Sequence, residues 1–398
     1  MDKQEENLNA ELKANGRAGE FSRRDFLKTL GLLAGSSLFA SGAVFSASGC
    51  SGEEAMNKLT DVSGLEQEKR TVTDDAGREV EIPAKADVEK VFATSALAQF
   101  FLFTLDWEKL GAVTSSFSKE DQQYLPSEIA DLPRLGSWTS NTLSAESLML
   151  EDIQIVFSIS AVELTKQNID DAEKLQDQSG VPVILIDGSM DKTVHAYEFL
   201  GECIGSDDRA KELADYCNKI YEDVTAAVGS IPDAQKRQFY YAEGTSGLTS
   251  KAEGNQHVVA FELAGGKNVV QVETAAEAMD SVTVSREQLL QWNPETIFAQ
   301  SFDDGGADEV IRESDDWSSI TAVKKGQVYT LPSVPFTWVD KPSAANRFLG
   351  VQWLANLFYP DKYKIDIVKT VKEYYSLFYS VEITDEEAKG FLGNSYKA

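Results

Sequence analysis

The chain is short of the side chains that carry most covalent and metal chemistry. Only two histidines, His195 and His257, occur in 398 residues. That scarcity argues against a multi-histidine metal site or a histidine-dependent triad. There are three cysteines, Cys50, Cys203 and Cys217, and none stands in a Cys-x-x-Cys pair, so the usual zinc and thioredoxin spacings are absent. Cys203 and Cys217 lie 14 positions apart in a helical region and read either as small buried hydrophobes or as a disulfide. Positive charge is also scarce: 37 Lys and Arg face 65 Asp and Glu, a net charge of −28. Such a surface repels phosphate backbones and speaks against nucleic acid as a partner, and it disfavours direct adsorption to an anionic membrane. No Gly-x-x-x-x-Gly-Lys-Ser/Thr loop, no Gly-x-Gly-x-x-Gly between a strand and a helix, no His-Glu-x-x-His and no Gly-x-Ser-x-Gly is present. The acidic run Phe302–Glu309 lacks the spacing of a calcium loop and reads as a loop whose acids start a helix. No nucleophile–base pair stands out, so nothing in the residues asks for an enzyme.

What is present begins with an address. Residues 22–28 read SRRDFLK, followed by the moderately apolar TLGLLAGSSLFASGAVFSASGC. A paired arginine before such a run marks a twin-arginine export signal over residues 1–49. Its many Gly, Ser and Ala leave it less apolar than a membrane span. The closing ASGC resembles a lipoprotein box, with Cys50 as the lipidated residue, although Ala47 stands where leucine is commonest. The alternative is a plain cleaved signal beside an ordinary cysteine. Residues 50–69 show little periodicity and read as a flexible tether. The expected location is the extracytoplasmic face of the cell membrane, held by lipid.

The rest of the chain alternates strand and helix patterns. Residues 71–83 carry a hairpin signal around Asp75-Ala76-Gly77. VEKVFATS, IQIVFSIS and VPVILID are short apolar strands with helical patterns between them, as in a parallel sheet. Residues 206–232 form the longest helical pattern, with Ser206 as its cap, Asp207 and Asp208 at its positive end, and Gly229 and Pro232 closing it. The alternation then restarts with QFYYAEG, ETIFAQ and GQVYTLP, and the chain finishes in helical segments. The expected fold is α/β: two doubly wound lobes, 70–205 and 233–398, joined by one long helix over 206–232.

One small unit occurs twice. SAESLMLEDIQIVF starts at Ser144 and SREQLLQWNPETIF at Ser285. Each opens Ser-x-Glu, continues with an apolar pair and ends in a strand closing on Phe. The first copy lacks the proline, and its register reads as one residue shorter. A local explanation exists for each glutamate: Ser285 and Gln288 form a capping box, and Glu146 and Glu287 fall in first turns, where a carboxylate favours the helix dipole. That explanation accounts less well for the same placement in both copies.

Export signal, lipidation, two lobes and one connecting helix together resemble the substrate-binding proteins of ABC importers for iron–siderophore, haem and cobalamin complexes, the helix-hinged class. DDAGREVEIP, ELAGGKNVV, VSREQLLQWNPETIF and WSSITAVKKGQVYTLP resemble stretches of that family in the same order, over about Thr71 to Tyr359. The resemblance implies a monomer without intrinsic cofactor. It would bind a metal chelate between its lobes, close by a few degrees, and deliver the chelate to a permease and its ATPase. Glu146 and Glu287 match that family's permease-docking glutamates.

Strand ends nominate the ligand contacts, because doubly wound sheets form clefts there. In the first lobe these are Thr94, Ser95, Ser116, Phe117 and Trp138; in the second, Tyr240, Tyr241, Glu243, Gln300 and Phe302. Tyr240 and Tyr241 alternate faces, so at most one of them meets ligand. The loop VPFTWVDKPSAANR adds Phe336, Trp338, Lys341 and Arg347. Its aromatics and cations suit a large anionic chelate; equally, Trp338 packs under its own loop and Arg347 pairs at a helix start. His257 either fills an open coordination position of a bound metal or is an ordinary first-turn residue. His195 reads as structural. The rival readings are a binding protein for another small solute, an exported chelatase-like enzyme on the same fold, and a lipoprotein scaffold without ligand.

Overall fold

Two runs of alternating polar and β-branched residues flank Asp75-Ala76-Gly77, and they pair as an antiparallel hairpin, β1 (Lys69–Thr73) and β2 (Glu79–Pro83). Asp74 holds the turn by accepting the N–H groups of Ala76 and Arg78, and Gly77 takes the left-handed backbone that the turn requires. The computed structural model describes residues 68–396, except 139, 273–280 and 302–303. The export signal, Cys50, all but the last two residues of the tether and Phe302 lie outside the described residues.

The first lobe is built on β3 (Val91–Ala93), β4 (Ile155–Ser160) and β5 (Val183–Asp187), parallel and in that order. On the other side of β3, Leu110 bridges to Val91. Side chains of a strand alternate between faces, and both faces are buried here. Ile155, Phe157 and Ile159 enter one apolar cluster, while Val156, with Val183 and Leu185, enters another. Helices therefore cover both sides, as double winding requires. The helix Ala96–Asp106 is buried along nearly its whole length and is capped by the Ser95 hydroxyl. β1 and β2 dock on β5, where Arg78 donates to the Val183 carbonyl and to Asp74.

The helix Asp207–Val228 leads to the second lobe. Leu213, Cys217, Ile220 and Val224 form its buried stripe. The expected cap is corrected: the Ser206 hydroxyl makes no cap bond and donates to Asp106 instead, at 2.7 Å. β6 (Arg237–Ala242), β8 (Gly266–Asn268), β10 (Thr296–Ala299) and β11 (Val328–Thr330) form a parallel sheet of order β11-β10-β6-β8. Between them β7 (Thr249–Lys251) and β9 (Ser281–Thr283) make a small antiparallel ribbon. Tyr241 and Phe298 face one cluster, and Tyr240 and Ile297 the other.

The C-terminal helices do more than complete the second lobe. The helix Ile367–Tyr379 returns to the first: Tyr379 stacks on Phe103, and Phe378 meets Tyr197 and Tyr216. One apolar cluster consequently runs from Phe100 through the connecting helix to Phe261 and Trp353. Cys203 and Cys217 are free and buried within it. Burial pushes the Cys203 thiol up to about 12, and the Cys217 thiol is raised as well, so both behave as inert apolar side chains.

The repeated unit folds the same way twice. The helix Ala145–Leu150 feeds β4 and the helix Arg286–Trp292 feeds β10. Ser144 and Ser285 cap them through the N–H of Ser147 and Gln288. Asp152 and Asn293, each eight residues after its serine, both adopt positive φ, 54° and 47°. The strands then begin at Ile155 and Thr296, each eleven residues on. The expected one-residue shortfall is therefore corrected: the two copies share one register. The missing proline does not shift it, because the left-handed residue at Asp152 or Asn293 makes the turn.

Candidate functional site

In each sheet the chain leaves one strand on one side and later returns on the other. β3 lies between Leu110 and β4, and β6 lies between β8 and β10. A crevice opens beyond the carboxyl ends of the strands at such a reversal. A cleft of about 810 Å³ opens at the reversal of the first lobe's sheet, and loops of the second lobe form its other side. One wall comes from the first lobe: Thr94, Ser95, Ser115, Ser116, Phe117, Trp138 and the end of β4, Ser158–Val162. The other comes from Gln256, His257 and the loop around Pro335–Ser343. Hydroxyl groups and three aromatic rings dominate the surface.

Local hydrogen bonds fix these walls. The Trp138 N–H donates to the Thr94 carbonyl at 2.9 Å, and Thr94 N–H donates to Phe157 at 3.0 Å. Gln99 accepts both the N–H and the hydroxyl of Thr114, at 2.6 and 2.9 Å, tying the buried helix to the Ser115–Phe117 loop. On the opposite wall Asp340 is fully buried. It accepts the Tyr241 hydroxyl at 2.7 Å and the Thr337 hydroxyl at 3.0 Å. His257 Nδ1 stands 3.6 Å from the same carboxylate. Lys341 is drawn to Glu243 at 3.0 Å. Lys341 is thus engaged with a carboxylate, and Asp121 and Asp171 also line the cleft.

The structure divides the sequence candidates into two groups. Phe117, Trp138, His257 and Phe336 line the cleft. Phe336 crosses to the first lobe, with its ring 5.1 Å from Phe100 and 6.1 Å from Phe117. Tyr240, Tyr241 and Trp338 do not line it, and their expected role there is corrected. Tyr240 turns behind the sheet and donates to the Gly247 carbonyl at 2.8 Å. Tyr241 lies beneath the cleft, committed to Asp340. Trp338 is buried edge-on against Trp353, with ring centroids 6.2 Å apart. The alternation that allows one tyrosine toward a ligand allows none here, because both faces of β6 are core.

Arg347 is buried as well, and it borders a second chamber of about 450 Å³ with Ala161, Val162, Gln256 and Glu262. Its guanidinium donates to the carbonyls of Ala344 and Gln256. Burial pulls it down to about 10, and the Asp340 carboxylate opposes that shift. It remains a cation at neutral pH, facing the two chambers' shared wall rather than the open cleft.

Sequence reasoning missed Ser158 and Ser160, although they end β4 as Thr94 and Ser95 follow β3. It also missed Asp340, whose signal was the one carboxylate in a proline-bounded loop. Glu146 and Glu287 do not line the cleft, and both are exposed on their short helices. Among the described residues no group of His, Cys, Asp and Glu is arranged to hold a metal ion by itself.

A family described as "Periplasmic binding protein" matches residues 162–335. An ABC transporter solute binding protein from Sulfurospirillum deleyianum superposes with a TM-score of 0.72, at 25% identity, over 81% of this chain and 98% of that one. The fold is that of a periplasmic binding protein. The molybdate-binding protein MolA of Haemophilus influenzae is 22% identical over 343 residues, 80% of this chain and 93% of MolA. Its molybdate-bound structure has a TM-score of 0.63 at 20% identity, covering 79% of this chain and 99% of that one. A crevice between two lobes is the default place for a small-molecule ligand, and that is where Phe117, Trp138, His257 and Phe336 converge.

Proposed function

We infer that this chain is the substrate-binding component of an ABC importer, a binding protein rather than an enzyme. The observation that carries the reading is the 810 Å³ cleft between the strand reversal of the first lobe and the Gln256–His257 and Pro335–Ser343 segments of the second. We assign a metal chelate as its ligand. Phe117, Trp138 and Phe336 offer flat apolar faces to a macrocycle or chelating ring, and His257 offers a ring nitrogen near a bound metal. The surrounding hydroxyls donate to its oxygens. Because Lys341 is paired and Arg347 buried, a chelate of low net charge fits better than the large anionic one expected from the loop's composition.

A small oxyanion is the second reading. The hydroxyls of Thr94, Ser95, Ser116, Ser158 and Ser160 favour it, as does the likeness to MolA, whose name states that it binds molybdate. Quenching of tryptophan fluorescence, with Trp138 in the cleft wall, tests both against siderophore, haem, corrinoid and nickel chelates and against molybdate. Absence of binding below about 10 μM, roughly −7 kcal/mol, by every chelate would sink the chelate assignment. Turnover of any of them would favour the chelatase-like alternative.

In this reading the chain is exported by the twin-arginine route and anchored by lipid on Cys50, and it works as a monomer. Glu146 and Glu287 dock on the permease. The shared core and the returning C-terminal helix support closure of a few degrees about the connecting helix. The Glu146→Ala, Glu287→Ala double variant should bind ligand normally and fail in uptake; normal uptake would remove the docking assignment.

A further inference from the structure

The repeated unit carries a second matched feature, besides its glutamate. Leu148 and Leu289 occupy equivalent positions, four residues after the capping serine, and both are buried at 0% and 2%. The next residues, Met149 and Leu290, are again equivalent. Both point outward, 51% and 47% exposed. Leu150 follows at 81%. Among the described residues four large apolar side chains are exposed in this way, and these are three of them; the fourth is Tyr221 on the connecting helix. Scattered exposed apolar residues are ordinary. Concentration on two short helices related by an internal repeat is not. Water-exposed Met and Leu at matched positions gain free energy only when something covers them.

Each lies three residues after its glutamate, Glu146 or Glu287. Side chains three apart on a helix are neighbours, so each lobe presents a carboxylate beside an apolar knob. Arg286, the cation nearest Glu287 in sequence, is engaged by Asp316 and leaves that carboxylate for an outside partner. We propose that Met149 and Leu290 are apolar anchors that seat each lobe on the same membrane partner as the glutamates. The partner surface then offers, at two matched sites, an apolar recess next to a basic side chain. The charge complements the carboxylate and fixes register, and the recess supplies most of the residence time. This rests on the docking reading above and adds to it a contact that salt does not screen.

The test uses the full-length chain in its own membrane. A photo-crosslinking residue is placed at 149, at 290 and, as an exposed control, at 221. Adducts are identified by mass spectrometry. Positions 149 and 290 should each crosslink to a polytopic membrane subunit of an importer, and position 221 should not. Separately, Met149→Ser with Leu290→Ser should weaken association with that importer in nanodiscs by about tenfold or more, and this loss should persist in 0.5 M salt (on the order of a 4 Å screening length). Glu146→Ala with Glu287→Ala should lose its effect in the same salt. Ligand quenching in each variant confirms an intact fold. No adduct at 149 and 290 beyond that at 221, or less than about a twofold change for the apolar pair, overturns the proposal. If the glutamate variant alone loses association, the docking reading survives without the apolar anchors. If neither variant does, both fall.

Discussion

Glu262 allows a quantitative test of how the second chamber is packed. Its side chain borders that chamber with Arg347 and accepts the Gly254 N–H at 3.0 Å. Burial raises its carboxyl from the ordinary 4.5 to about 7, against the pull of the Gly254 hydrogen bond, with Glu253 adding to the rise. The folded state therefore holds this proton more tightly than the unfolded chain does. The stabilisation is fully present below about pH 4.5 and is lost as pH rises through 7. The displacement corresponds to about 3 kcal/mol. Glu262→Gln keeps an oxygen for Gly254 and removes the titration. Urea unfolding of parent and variant should be compared at pH 5, 6, 7 and 8. The variant should gain on the parent steadily between pH 5 and 7.5, by up to about 3 kcal/mol, and the gap should then level off. A gap that is the same at pH 5 and pH 8 would refute the argument, because it would mean that the carboxyl ionises there as freely as in water.

Phe117→Ala and Trp138→Ala should each weaken ligand binding by about tenfold, while Tyr240→Phe leaves affinity unchanged and lowers stability by about 1 kcal/mol through loss of the Gly247 hydrogen bond; titration calorimetry and urea unfolding check these outcomes. Phe336→Ala removes the ring that bridges to Phe100 and Phe117 and should cost about 2–3 kcal/mol of stability, read from urea midpoints, with weaker binding as well. Gly350 packs its helix against the Trp338 carbonyl, where a Cβ would collide with the backbone. Gly350→Ala should therefore cost about 1–3 kcal/mol and shift the environment of Trp338, visible in near-ultraviolet circular dichroism.

Much of the fold was legible because its signals are local. Apolar runs of strand length, separated by helical periods, announce a parallel α/β sheet wherever both faces are buried, and VPVILID and ETIFAQ are such runs. The connecting helix shows in its length and in the spacing of Leu213, Cys217, Ile220 and Val224. Ser285 and Gln288 declare their capping box within four residues. Glu146 and Glu287 stood out the same way, in a short unit written twice, while the docking role came only from the family resemblance.

The sequence alone thus determined the class of fold, the two lobes and, in the first lobe, the strand ends that line the cleft. It did not decide which aromatic residues face that cleft. Tyr240, Tyr241 and Trp338 looked as suitable as Phe117 and Trp138, since type and neighbourhood are all that a sequence displays. Only the tertiary structure fills both faces of β6, buries Asp340 under Tyr241 and sends Phe336 across to the first lobe. It also brings the C-terminal helix back against Phe103 and Tyr197, some of the most distant contacts in the chain. Local patterns fix which elements form, because their hydrogen bonds and periods close within a few residues. Which side chain is left to meet a ligand depends on what the rest of the chain packs against the other side.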